Sequence, residues 1–125
     1  REFAVLGFSP SGHILSFYRE QWRALGMNSN QEVQARAEGE LVRVAGLLIR
    51  PHRPPTRSGR VVVFFTLEDE TGLLDLTAFE PTYQRYGKLL FGAPALVVTG
   101  RVQRRGERAS VLAQEIAPLN LITLN

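Results

Sequence analysis

The 125-residue chain contains no cysteine, and this absence excludes disulfide bonds and thiolate metal sites. Its two histidines, His13 and His52, are too few to build a metal cage from imidazole ligands. No apolar run approaches the roughly 20 residues that a membrane-spanning helix needs. A chain without cysteine fits a cytoplasmic protein, and we expect no cofactor, no metal and no membrane partner.

Lysine is almost absent as well, because fourteen of the fifteen basic side chains are arginine and only Lys88 is not. GC-rich codon usage can produce such a bias, so the positions of the arginines carry more information than their number. Two arginine groups flank a group of acids, which predicts a basic surface on a protein of net charge +3. The first group is Arg50, Arg53, Arg57 and Arg60; the second is Arg101, Arg104, Arg105 and Arg108; the acids are Glu68, Asp69, Glu70, Asp75 and Glu80.

The first 39 residues have the pattern of a helical extension followed by a polar linker. A stripe of apolar residues at three- and four-residue intervals predicts a helix over residues 9–26, which Gly26 would end. The stripe consists of Ile14, Phe17, Tyr18, Trp22 and Leu25. Because the chain begins Arg1-Glu2-Phe3, without an initiator methionine or a signal peptide, we expect a portion of a longer protein or a processed chain.

From residue 40 the pattern changes to five strands with one helix between the third and the fourth. The predicted strands are residues 41–50, 61–68, 73–79, 95–103 and 108–116, and the predicted helix is 81–91. Residues 51–60 contain three prolines and form a long loop, residues 69–72 form a tight turn, and Gly46 predicts a bulge or barrel corner. This order is that of the OB fold, an all-β five-stranded Greek-key barrel. The predicted divisions are a helical extension and linker over 1–39, the OB domain over 40–119, and a tail over 120–125.

OB barrels usually bind nucleic acid across strands 2 and 3, between the loops that join strands 1 and 2 and strands 4 and 5. Both arginine groups lie in or beside these loops, where they would neutralise phosphates of a single strand. The alternation in strand 2 points Phe65 into the barrel and Phe64 outward, where a base can stack on its ring. The predicted nucleic-acid-binding residues are Arg43, Arg50, Arg53, Arg57, Arg60, Phe64, Arg101, Arg104, Arg105 and Arg108. Tyr83 and Tyr86 are predicted to plug the bottom of the barrel.

Catalysis is not predicted from any of these patterns. Asp69 and Glu70 are explained by the tight turn, and the sequence shows no phosphate-binding glycine loop and no combination of nucleophile and base. Two other hypotheses remain beside single-stranded DNA binding. The N-terminal helix, with Phe17 and Trp22, could dock on replication or repair proteins, and an OB barrel could instead bind tRNA.

Several segments of the sequence carry a family resemblance that spans residues 2 to 118. They are VLGF (5–8), SGH (11–13), VRVAGL (42–47), FTLEDETG (65–72), FEPTYQRY (79–86) and VTGRV (98–102). Together they resemble the OB domain near the C-terminus of bacterial DNA polymerase III alpha subunits and the segment that precedes it, although Ile14 stands where that family usually has proline. The arginine-rich style is closer to the error-prone branch. The resemblance implies a module that contacts single-stranded template, whereas the polymerase aspartates of that family belong to a separate palm domain.

Overall fold

The strands and the helix of the barrel begin and end within two residues of their predicted positions. The structure is a computed structural model that describes residues 18–119. Its elements in chain order are α1 (Arg19–Ala24), α2 (Asn30–Val33), β1 (Leu41–His52), β2 (Val62–Asp69), β3 (Gly72–Phe79), α3 (Glu80–Gly92), β4 (Ala95–Arg105) and β5 (Arg108–Pro118). The predicted start of the first helix, at residues 9–17, lies outside the described residues.

The five strands form a closed barrel in the order β1-β2-β3-β5-β4. The strand β1 pairs with two strands: residues 41–47 pair with β4, and residues 47–52 pair with β2. A short parallel pairing of β3 with β5, at Leu76 with Val111 and Thr77 with Leu112, closes the barrel. This is the connectivity of the OB fold, so the predicted all-β Greek-key barrel is confirmed.

Gly46 lies next to Leu47, where β1 changes partner from β4 to β2. A Cβ atom at this position would lie 2.7 Å from the carbonyl oxygen of Glu68, so only glycine lets the two strands approach so closely. The irregularity in the pairing of β1 with β2 lies farther along, between Ile49 and His52.

The barrel interior is built by the inward faces that the alternation predicted. Phe65 and Leu67 of β2 and Leu74 and Leu76 of β3 are each at most 2% exposed. The plug at the bottom differs from the prediction. Leu90 of α3 is fully buried, whereas Tyr83 and Tyr86 are only partly buried and pack beside it against the core.

Residues 27–39 do not form the predicted linker. Ser29 and Glu32 form a capping box that starts α2: the Glu32 N–H donates to the Ser29 hydroxyl, and the Ser29 N–H donates to the Glu32 carboxylate. Val33 is fully buried in the barrel core. The division placed between residues 39 and 40 therefore separates elements that share one core.

The described part of the N-terminal stripe packs on the barrel rather than facing outward for a partner. Trp22 is 7% exposed and packs against Ala45, with the ring of Tyr18 stacked on it at 5.3 Å. Leu25 was predicted to belong to the stripe, but it lies beyond the end of α1 and is 64% exposed, so that assignment is wrong. Phe17 and Ile14 lie outside the described residues.

Candidate nucleic-acid interface

A groove runs across the outer face of β2 and β3, between the end of β1 and the β4–β5 hairpin. We call it the β2–β3 groove. It brings together five of the predicted residues, Arg50, Phe64, Arg104, Arg105 and Arg108, with His52, Thr66, Asp75, Thr77 and Ser110 among its other lining residues. Its position corresponds to the usual ligand face of an OB barrel.

Phe64 is the aromatic platform of the groove. Its side chain points outward, as the alternation predicted, and the residue is 41% exposed. It pairs across the strands with Thr77 and with His52, whose ring lies 5.7 Å away at an angle of 33°. The imidazole supports one side of the phenyl ring and leaves the rest of it open. His52 was interpreted from the sequence as a loop residue, because Pro51 was expected to end the strand.

Arg50 reaches the groove through a local distortion of β1. Its φ is +50°, a left-handed conformation that non-glycine residues rarely adopt and that costs of order 1 kcal/mol. The register of β1 against β2 shifts over the same residues, between Ile49 and His52. Such bulges redirect side chains at the edges of binding sites. Here the bulge turns Arg50 toward the groove and lets the strand continue past Pro51 to His52.

The β4–β5 hairpin supplies the cations at the other side of the groove. Arg105 and Arg108 face each other across its turn and are both exposed. The Arg108 guanidinium lies 3.5 Å from the Asp75 carboxylate, and both side chains are largely exposed, so this ion pair is weak and easily exchanged for a phosphate. Within residues 18–119 the Arg105 side chain makes no hydrogen bond, which leaves its donors available.

Arg104 lines the same groove but has its donors engaged. Its guanidinium donates to the carbonyl oxygens of Gln34 and Arg36, each at 2.9 Å, and to that of Glu107 at 3.1 Å. These bonds fasten the segment after α2 to the hairpin. Arg104 therefore positions the hairpin and has little capacity left for a phosphate.

The other predicted arginines lie outside the groove. Arg43 and Arg101 are on the β1–β4 side, where Arg43 donates to the Thr99 hydroxyl at 3.3 Å and Arg101 to the Gly39 carbonyl oxygen at 3.3 Å. Arg57 and Arg60 are exposed in the loop between β1 and β2. Arg53, at the start of that loop, reaches α3 instead of the groove.

The tight turn after β2 is held by a buried network that the sequence did not reveal. Asp69 is 2% exposed and accepts four hydrogen bonds: one oxygen accepts from the backbone N–H and hydroxyl of Thr71, the other from the Asn30 N–H at 2.8 Å and the Arg19 guanidinium at 3.1 Å. Arg19 also pairs with Glu70. From the sequence, Asp69 was explained by the tight turn.

The electrostatics of this network hold Arg19 firmly in its charged form. Burial works against the charge, but the hydrogen bond to Glu70 and the nearby carboxylates of Glu70, Asp69 and Glu32 outweigh it and raise the pKa of Arg19 above its usual value. Asp69 and Glu70 therefore neutralise Arg19. Among residues 18–119 no group of three metal-ligating side chains comes together, and no helix is long and apolar enough to cross a membrane.

A closed five-stranded barrel with an aromatic and basic groove across β2 and β3 defines a class of nucleic-acid-binding modules. The chain belongs to the family described as the OB-fold nucleic acid binding domain, which residues 36–119 match. Its relatives are error-prone DNA polymerases, which confirms the resemblance to the polymerase III alpha group. The chain is 49% identical over 122 residues to the error-prone DNA polymerase of Symbiobacterium thermophilum. It is 38% identical over 125 residues to the error-prone DNA polymerase of Anaeromyxobacter sp. strain K, and each match covers 96% of this chain.

The chain spans only about a tenth of the length of these relatives, 11% and 10% respectively. Solved structures confirm the fold. The mitochondrial single-stranded DNA binding protein Rim1 of S. cerevisiae superposes with a TM-score of 0.53 at 9% identity, covering 66% of this chain and 97% of that one. A deletion mutant of the single-stranded DNA binding protein from Thermus aquaticus gives 0.52 at 25% identity, covering 63% and 40%. The chain is an OB-fold binding module whose relatives are polymerases.

Proposed function

We propose that the chain binds single-stranded DNA in the β2–β3 groove, as a non-catalytic module of an error-prone DNA polymerase. The observation that carries the proposal is the position of Phe64, an exposed ring supported by His52 and flanked by arginines from two separate elements. Arg50 comes from β1, and Arg105 and Arg108 come from the β4–β5 hairpin. The named relatives and the single-stranded DNA binding proteins of similar fold support it.

In the groove, the aromatic ring of Phe64 binds bases and the arginines bind phosphates. A base stacks on Phe64 without regard to its identity, because every base has a π-face. The arginines bind phosphates and release condensed counterions, which makes the affinity dependent on salt. With few cations in one small groove, we expect a dissociation constant of about 10⁻⁴ to 10⁻⁶ M at moderate salt and little sequence preference.

The first test removes one cation from the hairpin. Arg105→Ala should weaken binding of a fluorescent oligo-dT and lower the slope of log affinity against log salt by roughly 0.7, the value for one lost phosphate contact on a single strand. Arg43→Ala is the matched control, since it removes the same charge from the β1–β4 side, and its slope should equal that of the unmodified chain. Fluorescence anisotropy at several salt concentrations measures both.

Two outcomes would contradict the proposal. Affinity that does not fall with salt would show that phosphates are not bound, and equal losses in Arg105→Ala and Arg43→Ala would show that only net charge matters. The same titration with an RNA oligonucleotide distinguishes a DNA module from a tRNA-binding one, because an OB barrel built for RNA would bind the RNA more tightly.

A second test removes the ring. Phe64→Ala should weaken oligo-dT binding by about 1–3 kcal/mol and leave the salt slope unchanged, because stacking releases no counterions. Leu73→Ala is the control, since Leu73 is an exposed apolar residue of β3 that does not line the groove. Both variants should melt close to the unmodified chain. A Phe64→Ala variant that folds normally and binds as before would show that the ring takes no part.

A further inference from the structure

A second basic and aromatic surface lies on α3, outside the β2–β3 groove. We call it the α3 surface. It is lined mainly by Arg53 from the start of the β1–β2 loop and by Tyr83, Arg85, Lys88 and Phe91 from the helix. Arg53 was predicted to serve the groove, but it lies on this surface instead.

The aromatic rings of the α3 surface are held in a fixed arrangement. Arg53 donates to the Tyr83 hydroxyl at 2.8 Å, and its guanidinium carbon lies 5.1 Å from the centre of the Tyr83 ring. Phe91 packs edge-on against Tyr83 at 6.5 Å and remains 48% exposed. Tyr83 is thus covered from two sides, and Phe91 presents the open ring.

The charge of the α3 surface selects an anionic ligand. Of its lining residues within the described chain, Arg53, Arg85 and Lys88 are cationic and none carries a carboxylate. The acid in the first turn of the helix, Glu80, is engaged with the Val61 N–H at 2.7 Å. An exposed ring beside cations that no lining carboxylate opposes suits a single strand of nucleic acid, with a base for the ring and phosphates for the cations.

Residues of the α3 surface and of the groove are also neighbours along the chain. His52 contacts Phe64 in the groove, and the next residue, Arg53, donates to the Tyr83 hydroxyl on the α3 surface. Phe79 is 47% exposed at the last position of β3, immediately before α3. It shares the outer face of the sheet with Phe64 and is its diagonal neighbour, since Phe64 pairs with Thr77.

We propose that a single strand bound in the β2–β3 groove continues past Phe79 onto the α3 surface. There Phe91 stacks on a further base, and Lys88 and Arg85 bind the phosphates beside it. This inference rests on the proposed function, and it gives the module a binding path longer than the groove alone. Single OB folds occupy about 4–16 nucleotides, so both a short and a long path are physically available.

The test compares oligonucleotide lengths on the 125-residue chain. Oligo-dT of about 4 nucleotides fills the groove, and oligo-dT of about 12 nucleotides reaches the α3 surface as well. Phe91→Ala should weaken binding of the long oligonucleotide about tenfold and leave the short one unchanged. Lys88→Ala should lower the salt slope by roughly 0.7 for the long one only. Leu25→Ala and Arg43→Ala are the matched controls, and neither should distinguish the lengths.

Each alternative outcome is distinct. If short and long oligonucleotides bind equally well, or if both variants bind the long one as the unmodified chain does, the strand ends at the groove and the inference is wrong. An equal loss at both lengths would place the effect in the fold or the groove and would overturn it as well. Competition by a poly-glutamate peptide that depends on Lys88, without any length effect for DNA, would assign the surface to a protein. If neither oligonucleotide binds, the proposed function itself fails.

Discussion

Replacing Asp69 with alanine is expected to lower the free energy of unfolding by about 3–5 kcal/mol, the cost of leaving several buried donors without an acceptor. The carboxylate is buried and accepts from Arg19, Asn30 and Thr71, so its removal leaves several donors without a partner. One guanidinium nitrogen of Arg19, Nη1, already has no partner within the described residues. Arg19 keeps its pairing with Glu70, so the loss comes mainly from the N–H groups of Asn30 and Thr71, each of which costs about 1–3 kcal/mol when it has no acceptor.

Asp75 provides the matched control for this result. It is also a carboxylate paired with an arginine, but both partners are exposed and 3.5 Å apart, so Asp75→Ala should change stability by less than about 1 kcal/mol. Urea denaturation at neutral pH compares the two. Asp69→Asn should lie between them, because the amide keeps one acceptor and loses the charge. Equal unfolding curves for Asp69→Ala and Asp75→Ala would contradict the network.

The turn that carries Asp69 could be predicted from the sequence, but the network around Asp69 could not. The tight turn over residues 69–72 follows from local chemistry, and the structure has it where predicted. The pairing of Asp69 with Arg19 joins positions 50 residues apart, and no local pattern indicates how α1 sits against the barrel. Long-range contact also explains why residues 27–39 were predicted to be a linker. The segment is polar, but Val33 packs into the barrel core, and no local pattern indicates that contact.

The barrel strands were predictable because they are rich in β-branched and aliphatic residues, because buried and outward residues alternate in β2 and β3, and because their ends carry turn residues. The candidate site was predicted only in part. Phe64 followed from alternation, but Arg104 and Arg105 are adjacent in sequence and have different surroundings: Arg104 is engaged by Gln34 and Arg36, while Arg105 is exposed. His52 was missed because the bulge between Ile49 and His52, where Arg50 takes a positive φ, carries β1 beyond Pro51.

Replacing Gly100 with alanine is expected to destabilise the fold by about 3 kcal/mol or more, at the upper end of the cost of overpacking. A Cβ atom would lie 2.1 Å from the Leu112 carbonyl oxygen and 2.8 Å from a methyl carbon of Val111. The first of these is backbone and cannot rotate away, so β5 itself must move. Because Val111 and Leu112 are the residues through which β5 pairs with β3, that movement strains the closure of the barrel.

Gly92→Ala is the control for the glycine replacement, since a Cβ there meets nothing within 4 Å, and its melting temperature should stay close to that of the unmodified chain.

Gly100→Ala also tests how the groove depends on the barrel, because the hairpin that carries Arg105 and Arg108 extends from the displaced strand pair. At a temperature where the variant is still folded, it should bind oligo-dT more weakly with a reduced salt slope, as if hairpin arginines had been removed. Unchanged stability would mean that β4 and β5 are farther apart at Gly100 than the structure has them. A destabilised variant that binds normally would mean that the hairpin arginines do not depend on barrel closure for their position.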